Sequence, residues 1–237
     1  MTERNIGIIG DGGTDRAIFK KICECILSDP NDDSCTLIFT ELKRQTIHDY
    51  VDRYCKEIRK TNDVCYLTGE QASQFRKSVT NTLYAAFSEF ESEIGVINNK
   101  DILLLTTDSE TVLANPDDYF RDWRFSISKI LWGSIEEFYR AKARDGYAHE
   151  YLPFVIPVVT FPSTETFVVA AKDMIKNYGK KPSELKQALY GTTNLQTLRE
   201  EDLKAKALDF ITPDSISKIF KDVPESRAFI QMLSFGR

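Results

Sequence analysis

Ile6-Gly-Ile-Ile-Gly10-Asp-Gly-Gly-Thr-Asp-Arg-Ala-Ile-Phe19 is the stretch whose reading decides the fold. Apolar residues run into a Gly-Asp-Gly-Gly turn, and Ile18, Ile22 and Ile26 then recur every four residues, a helical period. Strand, tight loop and helix in that order form the opening βα unit of an α/β domain. Thr14 is the expected N-cap, and Asp15 suits the first turn because a carboxylate there interacts favourably with the helix dipole.

The chemistry of that loop follows from what it lacks. Gly10-x-Gly12-x-x-Asp15 has no third glycine, so it departs from the dinucleotide fingerprint, and no Gly-Lys-Ser/Thr follows to make a Walker A loop. Asp11 stands where the strand ends and Asp15 one turn later. Bare carboxylates at those places would repel a phosphate. A divalent cation removes the objection, since Mg²⁺ is held by a few carboxylates and shares its other positions with water and phosphate. The loop reads as a metal platform.

Working outward, the same alternation of apolar runs and helical stripes continues. Asp29-Pro-Asn-Asp-Asp-Ser is a loop and Cys35–Thr40 a β-prone run. Ile47, Val51, Tyr54, Cys55 and Ile58 keep helical spacing, and residues 63–67 read as a short strand. Phe75, Val79, Leu83, Phe87, Phe90 and Ile94 form a long stripe, predicting a helix packed on the sheet. Asp101-Ile-Leu-Leu-Leu-Thr-Thr107 is a continuous apolar run of the kind found in a central parallel strand, and it ends in Asp108-Ser109-Glu110. A second long helix is predicted over Ile127, Ile130, Leu131, Ile135 and Phe138, stopping at Asp145-Gly146. Residues 151–159 are again β-rich, but Pro153 and Pro157 demote them toward an edge, or to pairing through only part of their length. Ser163 is the expected cap of the helix that follows. From Lys172 onward the pattern predicts several short helices.

The fold expected is α/β: a Rossmann-like parallel sheet with helices on both faces, over residues 1–171, and a helical C-terminal cap over 172–237. There is no internal repeat and no low-complexity linker.

Composition narrows the chemistry. The 237 residues are 42% hydrophobic and 28% charged, ordinary values for a globular protein. No run approaches the roughly 18–20 apolar residues of a membrane span, and no apolar signal-peptide core is present at the start, so a cytoplasmic protein that does not enter the membrane is expected. The five cysteines include no Cys-x-x-Cys pair, and Cys23, Cys25 and Cys55 fall in helical stretches as small apolar residues. With only His48 and His149 available, a histidine-built zinc site or triad has little material, and acidic residues must carry any chemistry. The net charge of −5 gives no general attraction to nucleic acid but does not forbid a local basic groove.

Two acidic sites therefore stand out: Asp11 after one apolar strand, and Asp108-x-Glu110 after another. In an open parallel sheet, functional groups gather beyond the carboxyl ends of neighbouring strands. Alternation would turn Asp108 and Glu110 to one side. Glu165, just beyond the last β-rich run, would join the same rim. Acids after strands also serve as turn residues and helix caps, and that reading stays open.

The combination resembles the Toprim fold, in which an acid follows the first strand and an acid-x-acid pair follows a later one. It is most similar to the stand-alone Toprim-like proteins related to the overcoming-lysogenization-defect (OLD) nucleases, often encoded beside an ATPase in bacteria. Their acid-Gly-x-Thr-acid opening is matched by Asp11-Gly12-Gly13-Thr14-Asp15, and their Glu-bearing helix start by Ser163-Thr164-Glu165-Thr166-Phe167. Pro182-Ser-Glu-Leu-Lys186 is similar to their C-terminal helical part. Two positions depart: the family usually begins with Glu and continues with Asp-x-Asp, where this chain has Asp11 and Asp108-x-Glu110.

The resemblance implies Mg²⁺- or Mn²⁺-dependent cleavage of phosphodiester bonds in DNA or RNA, in phage defence with an ATPase partner. Asp11, Asp108 and Glu110 would hold metal, and Asp15 and Glu165 would act as second-metal ligand or general base. Lys172, Lys176, Lys180, Lys181 and Lys186 would contact a nucleic-acid backbone. Two other readings compete. One is a catalytically weak interaction subunit of an ATPase complex. The other is a phosphatase using Asp108 as nucleophile, which Glu110-Thr111 fits poorly.

Overall fold

The computed structural model describes residues 2–10, 12–28, 35–43, 47, 49–51, 69–109, 123–174, 182–191 and 199–235. Strand β1 (Thr2–Gly10) leads into helix α1 (Gly13–Leu27) and strand β2 (Cys35–Lys43). Helix α2 (Gly69–Ile94) precedes β3 (Ile102–Asp108), and helix α3 (Trp123–Arg144) precedes β4 (Phe154–Thr160). The strands form one parallel sheet in the order β2-β1-β3-β4. As the apolar runs predict, Ile6–Ile9 lie beside Ile102–Leu105, residue for residue.

Handedness explains where the helices go. A right-handed crossover from β1 to β2 and another back across to β3 must put α1 and α2 on opposite faces. The step from β3 to β4 continues in the second direction, so α3 joins α2. Strand alternation then divides the core. Ile6, Ile8, Ile102, Leu104, Ile156 and Val158 face α1, while Ile9, Leu103, Leu105 and Val155 face α2 and α3. The α2 stripe of Phe75, Val79, Leu83, Phe87 and Phe90 is fully buried, as is Phe138 of α3. Gly7 is needed on that second face: a Cβ there would lie 2.8 Å from Leu103 Cδ1 and 3.2 Å from both Leu42 and Phe90.

Two polar clamps fix the β1–β3 register. Asp101, completely buried, accepts hydrogen bonds from Asn5 N and Nδ2 at 3.0 Å and from Asn98 N at 2.8 Å. At the other end Thr106 Oγ1 donates to the Ile9 carbonyl at 2.8 Å.

After β4 the chain crosses to the α1 face. A turn containing the cis Phe161–Pro162 bond leads to α4 (Glu165–Ala171), whose seven residues are all buried. Among the described residues four more short helices follow: α5 (Pro182–Tyr190), α6 (Glu200–Leu208), α7 (Pro213–Asp222) and α8 (Ser226–Phe235). They share one apolar cluster with α1, α4 and the sheet, through Leu185, Leu189, Ala207, Ile211, Ile219, Phe229 and Leu233. The edge of Phe229 lies against Phe19, with ring centroids 5.9 Å apart. Thr212 caps α7 in a capping box with Ser215.

Several local expectations change. The cap of α1 is Gly12, not Thr14; the helix begins two residues earlier because the glycine adopts the extended cap conformation itself. Asp15 does lie in the first turn. The cap of α4 is Thr164, not Ser163, and makes no side-chain cap bond because both hydroxyls serve carboxylates instead. The prolines do mark an edge strand, but β4 pairs with β3 along its whole length, Pro157 included. Residues 63–67 lie outside the described residues, as does most of the predicted helix over 47–58. Ile47 and Val51 of that helix are buried. Cys23 is buried, which pushes its thiol well above the ordinary range, whereas Cys35 is exposed. Among the described residues, no helix is long and apolar enough to cross a membrane.

Two substitutions test this packing. Gly7→Val inserts a branched side chain where Leu103, Leu42 and Phe90 already meet, and should cost about 1–3 kcal/mol of unfolding free energy. Leu185→Ala should cost about 2–5 kcal/mol in chemical denaturation, because α5 belongs to the main core. Unchanged melting in the second variant would make the C-terminal helices an independent appendage.

Candidate functional site at the carboxyl ends of the strands

The strand order reverses between β1 and β3, and the crevice beyond their carboxyl ends is where open α/β sheets take ligands. Gly10 ends β1 there. Its missing side chain lets Arg16 of α1 lie across the strand end: a Cβ would come within 3.0 Å of Arg16 Cγ and 3.1 Å of Thr106 Oγ1. The buried Arg16 donates from Nη1 to the Gly10 carbonyl and from Nε to Glu41, both at 3.0 Å. A cation is thus built into the rim.

Asp108, the last residue of β3, is half-buried opposite Thr160 of β4. Its Oδ1 accepts hydrogen bonds from Thr160 Oγ1 and, at 2.8 Å, from Thr164 Oγ1. Thr164 immediately precedes Glu165, the first residue of α4, so both acids are tied to one short turn. Glu165 is only 6% exposed. Ser163 Oγ donates to its Oε2 at 2.6 Å, and Lys186 Nζ of α5 stands 3.8 Å from its Oε1. Thr166 Oγ1 closes the turn onto the Phe161 carbonyl at 2.6 Å. Buried carboxylates cost free energy unless they are hydrogen-bonded, and this turn supplies hydroxyls in a run, Ser163-Thr164 and Thr166.

Tyr190, at the end of α5, completes the group. Its residue is 8% exposed, and its hydroxyl has no hydrogen-bond partner among the described residues. Burial pushes this hydroxyl above its ordinary range, and the negative charges of Glu165 and Asp15 push it further the same way. It therefore keeps its proton and remains a donor. A buried donor with no partner among the described residues is a place for an oxygen-bearing ligand.

Thr164 ties Asp108, at the end of β3, to the turn after β4 that carries Glu165, and Tyr190 feels the charges of Glu165 and Asp15. Asp11 and Glu110 lie outside the described residues, each next to a described strand end. Among the described residues, no three His, Cys, Asp or Glu side chains converge as a metal cluster. Lys172 is half-buried with its Nζ 4.5 Å from the centre of the Phe210 ring, and Lys186 pairs with Glu165. Lys176, Lys180 and Lys181 are outside the described residues. Sequence reasoning missed Arg16, Thr160 and Tyr190. Arg16 had a signal, a cation two residues ahead of the apolar helix stripe; Tyr190 had none, because only the fold of α5 brings it to the rim.

Tyr190→Phe separates an unpaired hydroxyl from a structural one. Removing it should leave stability unchanged or raise it by up to about 1 kcal/mol. Because the folded state holds this proton longer than the unfolded chain, Tyr190 contributes a loss of stability as pH rises above about 10. Denaturation at alkaline pH should show that loss reduced in the variant; a drop in stability at neutral pH would mean that the hydroxyl is paired. Comparison with known protein families, with characterised proteins and with solved structures returns no match, so function has to be argued from this rim itself.

Proposed function

We propose that the chain is a metal-dependent nuclease of Toprim type, cleaving phosphodiester bonds of DNA or RNA, in bacterial defence alongside an ATPase partner. The observation that supports this reading is the Thr164 hydrogen bond that holds Asp108, at the carboxyl end of β3, against the turn that starts α4 at Glu165, with the end of β1 alongside β3. The donors gathered there are carboxylate and hydroxyl oxygens, the hard ligands that suit Mg²⁺ or Mn²⁺. In this reading Asp108 holds the ion together with Asp11 and Glu110. When bound, such an ion supplies Lewis-acid polarisation of a phosphate and a water of lowered pKa.

The chain's own groups divide the remaining work. Thr160 and Thr164 fix the Asp108 carboxylate in one orientation. Glu165, oriented by Ser163, is the general base or a second ligand, with Asp15 in the same role from the α1 side. Arg16 and Lys186 offset the negative charge of the rim and would face a phosphate.

A second reading, a catalytically weak interaction subunit of an ATPase complex, is favoured by one feature. Both oxygens of Glu165 are already engaged, one by Ser163 and one by Lys186.

Metal response distinguishes the two. Millimolar Mg²⁺ or Mn²⁺ should raise the melting temperature of the wild type, since an ion bound only by the folded state adds roughly 2.7 kcal/mol at a hundredfold excess over its dissociation constant. Asp108→Asn keeps an oxygen for the two threonine hydroxyls but loses the charge. It should fold, lose most of the metal shift, and cleave neither DNA nor RNA. An equal metal response in wild type and variant would leave these acids as turn residues.

A further inference from the structure

The opposite face of the sheet carries a second candidate site. Helices α2 and α3 enclose a groove of about 540 Å³, within the roughly 300–1,000 Å³ range of small-molecule sites. Its lining includes Arg76, Lys77 and Tyr84 of α2, and Glu137, Arg140 and Arg144 of α3. In a chain of net charge −5, four cations against one acid is a local reversal of sign.

The pairing shows how much of that charge is uncompensated. Arg76 Nε donates to Glu137 at 3.2 Å, and Arg140 pairs with Glu136 of its own helix one turn back. Lys77 and Arg144 are exposed, one on each wall, and have no ion pair among the described residues. Behind Tyr84 lies a third positive charge. Lys142 is 8% exposed, and its ammonium sits 4.0 Å from the Phe87 ring centre, 4.5 Å from Tyr147 and 5.8 Å from Tyr84, with no carboxylate partner among the described residues. Aromatic faces hold a cation but leave its charge in place, so the groove keeps a positive potential. Asp145 is felt by the Tyr84 hydroxyl but does not line the groove.

We propose that this groove binds a small phosphorylated molecule of nucleotide size, its phosphates held by Lys77, Arg140 and Arg144 and its ring set against Tyr84. Two unpaired cations on facing walls match an anion of at least two charges. Exposed pairs such as Arg140–Glu136 are weak, so Arg140 can turn to a phosphate at little cost. Arg76 argues for a small molecule over a strand: its Nη2 donates to the Gly133 carbonyl at 2.8 Å, and with Glu137 this bridges the helices across the groove. A nucleic-acid strand running between the helices would have to break that bridge.

The test is calorimetric titration and thermal shift of the full chain with ATP, pyrophosphate and a single-stranded oligonucleotide, all in EDTA so that the rim acids take no metal. ATP should bind and raise the melting temperature. Lys77→Ala/Arg144→Ala, both at exposed positions, should weaken it roughly tenfold or more, and Lys77→Glu alone should weaken it too. Asp108→Asn should bind ATP like the wild type, which keeps this site distinct from the rim whatever the fate of the nuclease reading. The proposal is overturned if ATP does not bind, if the groove variants bind it unchanged, if Asp108→Asn abolishes binding, or if only the oligonucleotide binds.

Discussion

The pairing of β1 with β3 is the constraint on which the rest depends. Ile6, Ile8, Ile9 and Ile102 to Leu105 are all at 0–1% exposure, so both faces of these strands are removed from water. At roughly 1.5–3 kcal/mol for each fully buried aliphatic side chain, neither face can be left open. That requirement draws α1 and the C-terminal helices to one side and α2 and α3 to the other. Register is set by polar groups: Asp101 grips Asn5 and Asn98 at the start of the pair, and Thr106 holds the Ile9 carbonyl near its end. A one-residue slip would exchange the two faces and take the two Asn5 donors away from the buried Asp101 carboxylate.

The same register determines which groups meet at the carboxyl rim. Aligning Ile9 with Leu105 brings the Gly10 end of β1 beside Thr106, and β3 runs on to present Asp108 to Thr160. The carboxylates there are not left bare. Hydroxyls from Thr160, Ser163 and Thr164 reach Asp108 and Glu165, and the cations of Arg16 and Lys186 lie among the acids. Tyr190 stands apart within this satisfied network, a protonated donor with nothing to donate to among the described residues. A rim whose side chains are prearranged, with one donor open, is suited to hold a polar ligand in a single orientation.

Net charge hides the contrast between the two sites. The rim is built on carboxylates tempered by two cations, whereas the groove between α2 and α3 is built on cations tempered by Glu137. Each is an arrangement of a few side chains, and a total of −5 predicts neither.

The division between sequence and tertiary structure follows the range of the interactions. Apolar runs, helical stripes and breakers are local, so the strand segments Ile6–Ile9 and Ile102–Leu105, the α2 stripe from Phe75 to Phe90 and the edge position of Pro157 were all legible. So was the side-by-side placement of the first two, because strands that apolar on both faces must sit centrally in a parallel sheet. Asp108 and Glu165 were legible as acids following strands. Caps were read less well: Gly12 took the extended cap position in place of Thr14, and around α4 the hydroxyls of Ser163 and Thr164 bond Glu165 and Asp108 rather than the helix N-terminus. Arg16 on Glu41, Lys186 against Glu165 and the cage of Phe87 and Tyr84 around Lys142 join residues far apart in the chain. No local pattern encodes such contacts; they exist only once the burial of β1 and β3 has fixed where each helix lies.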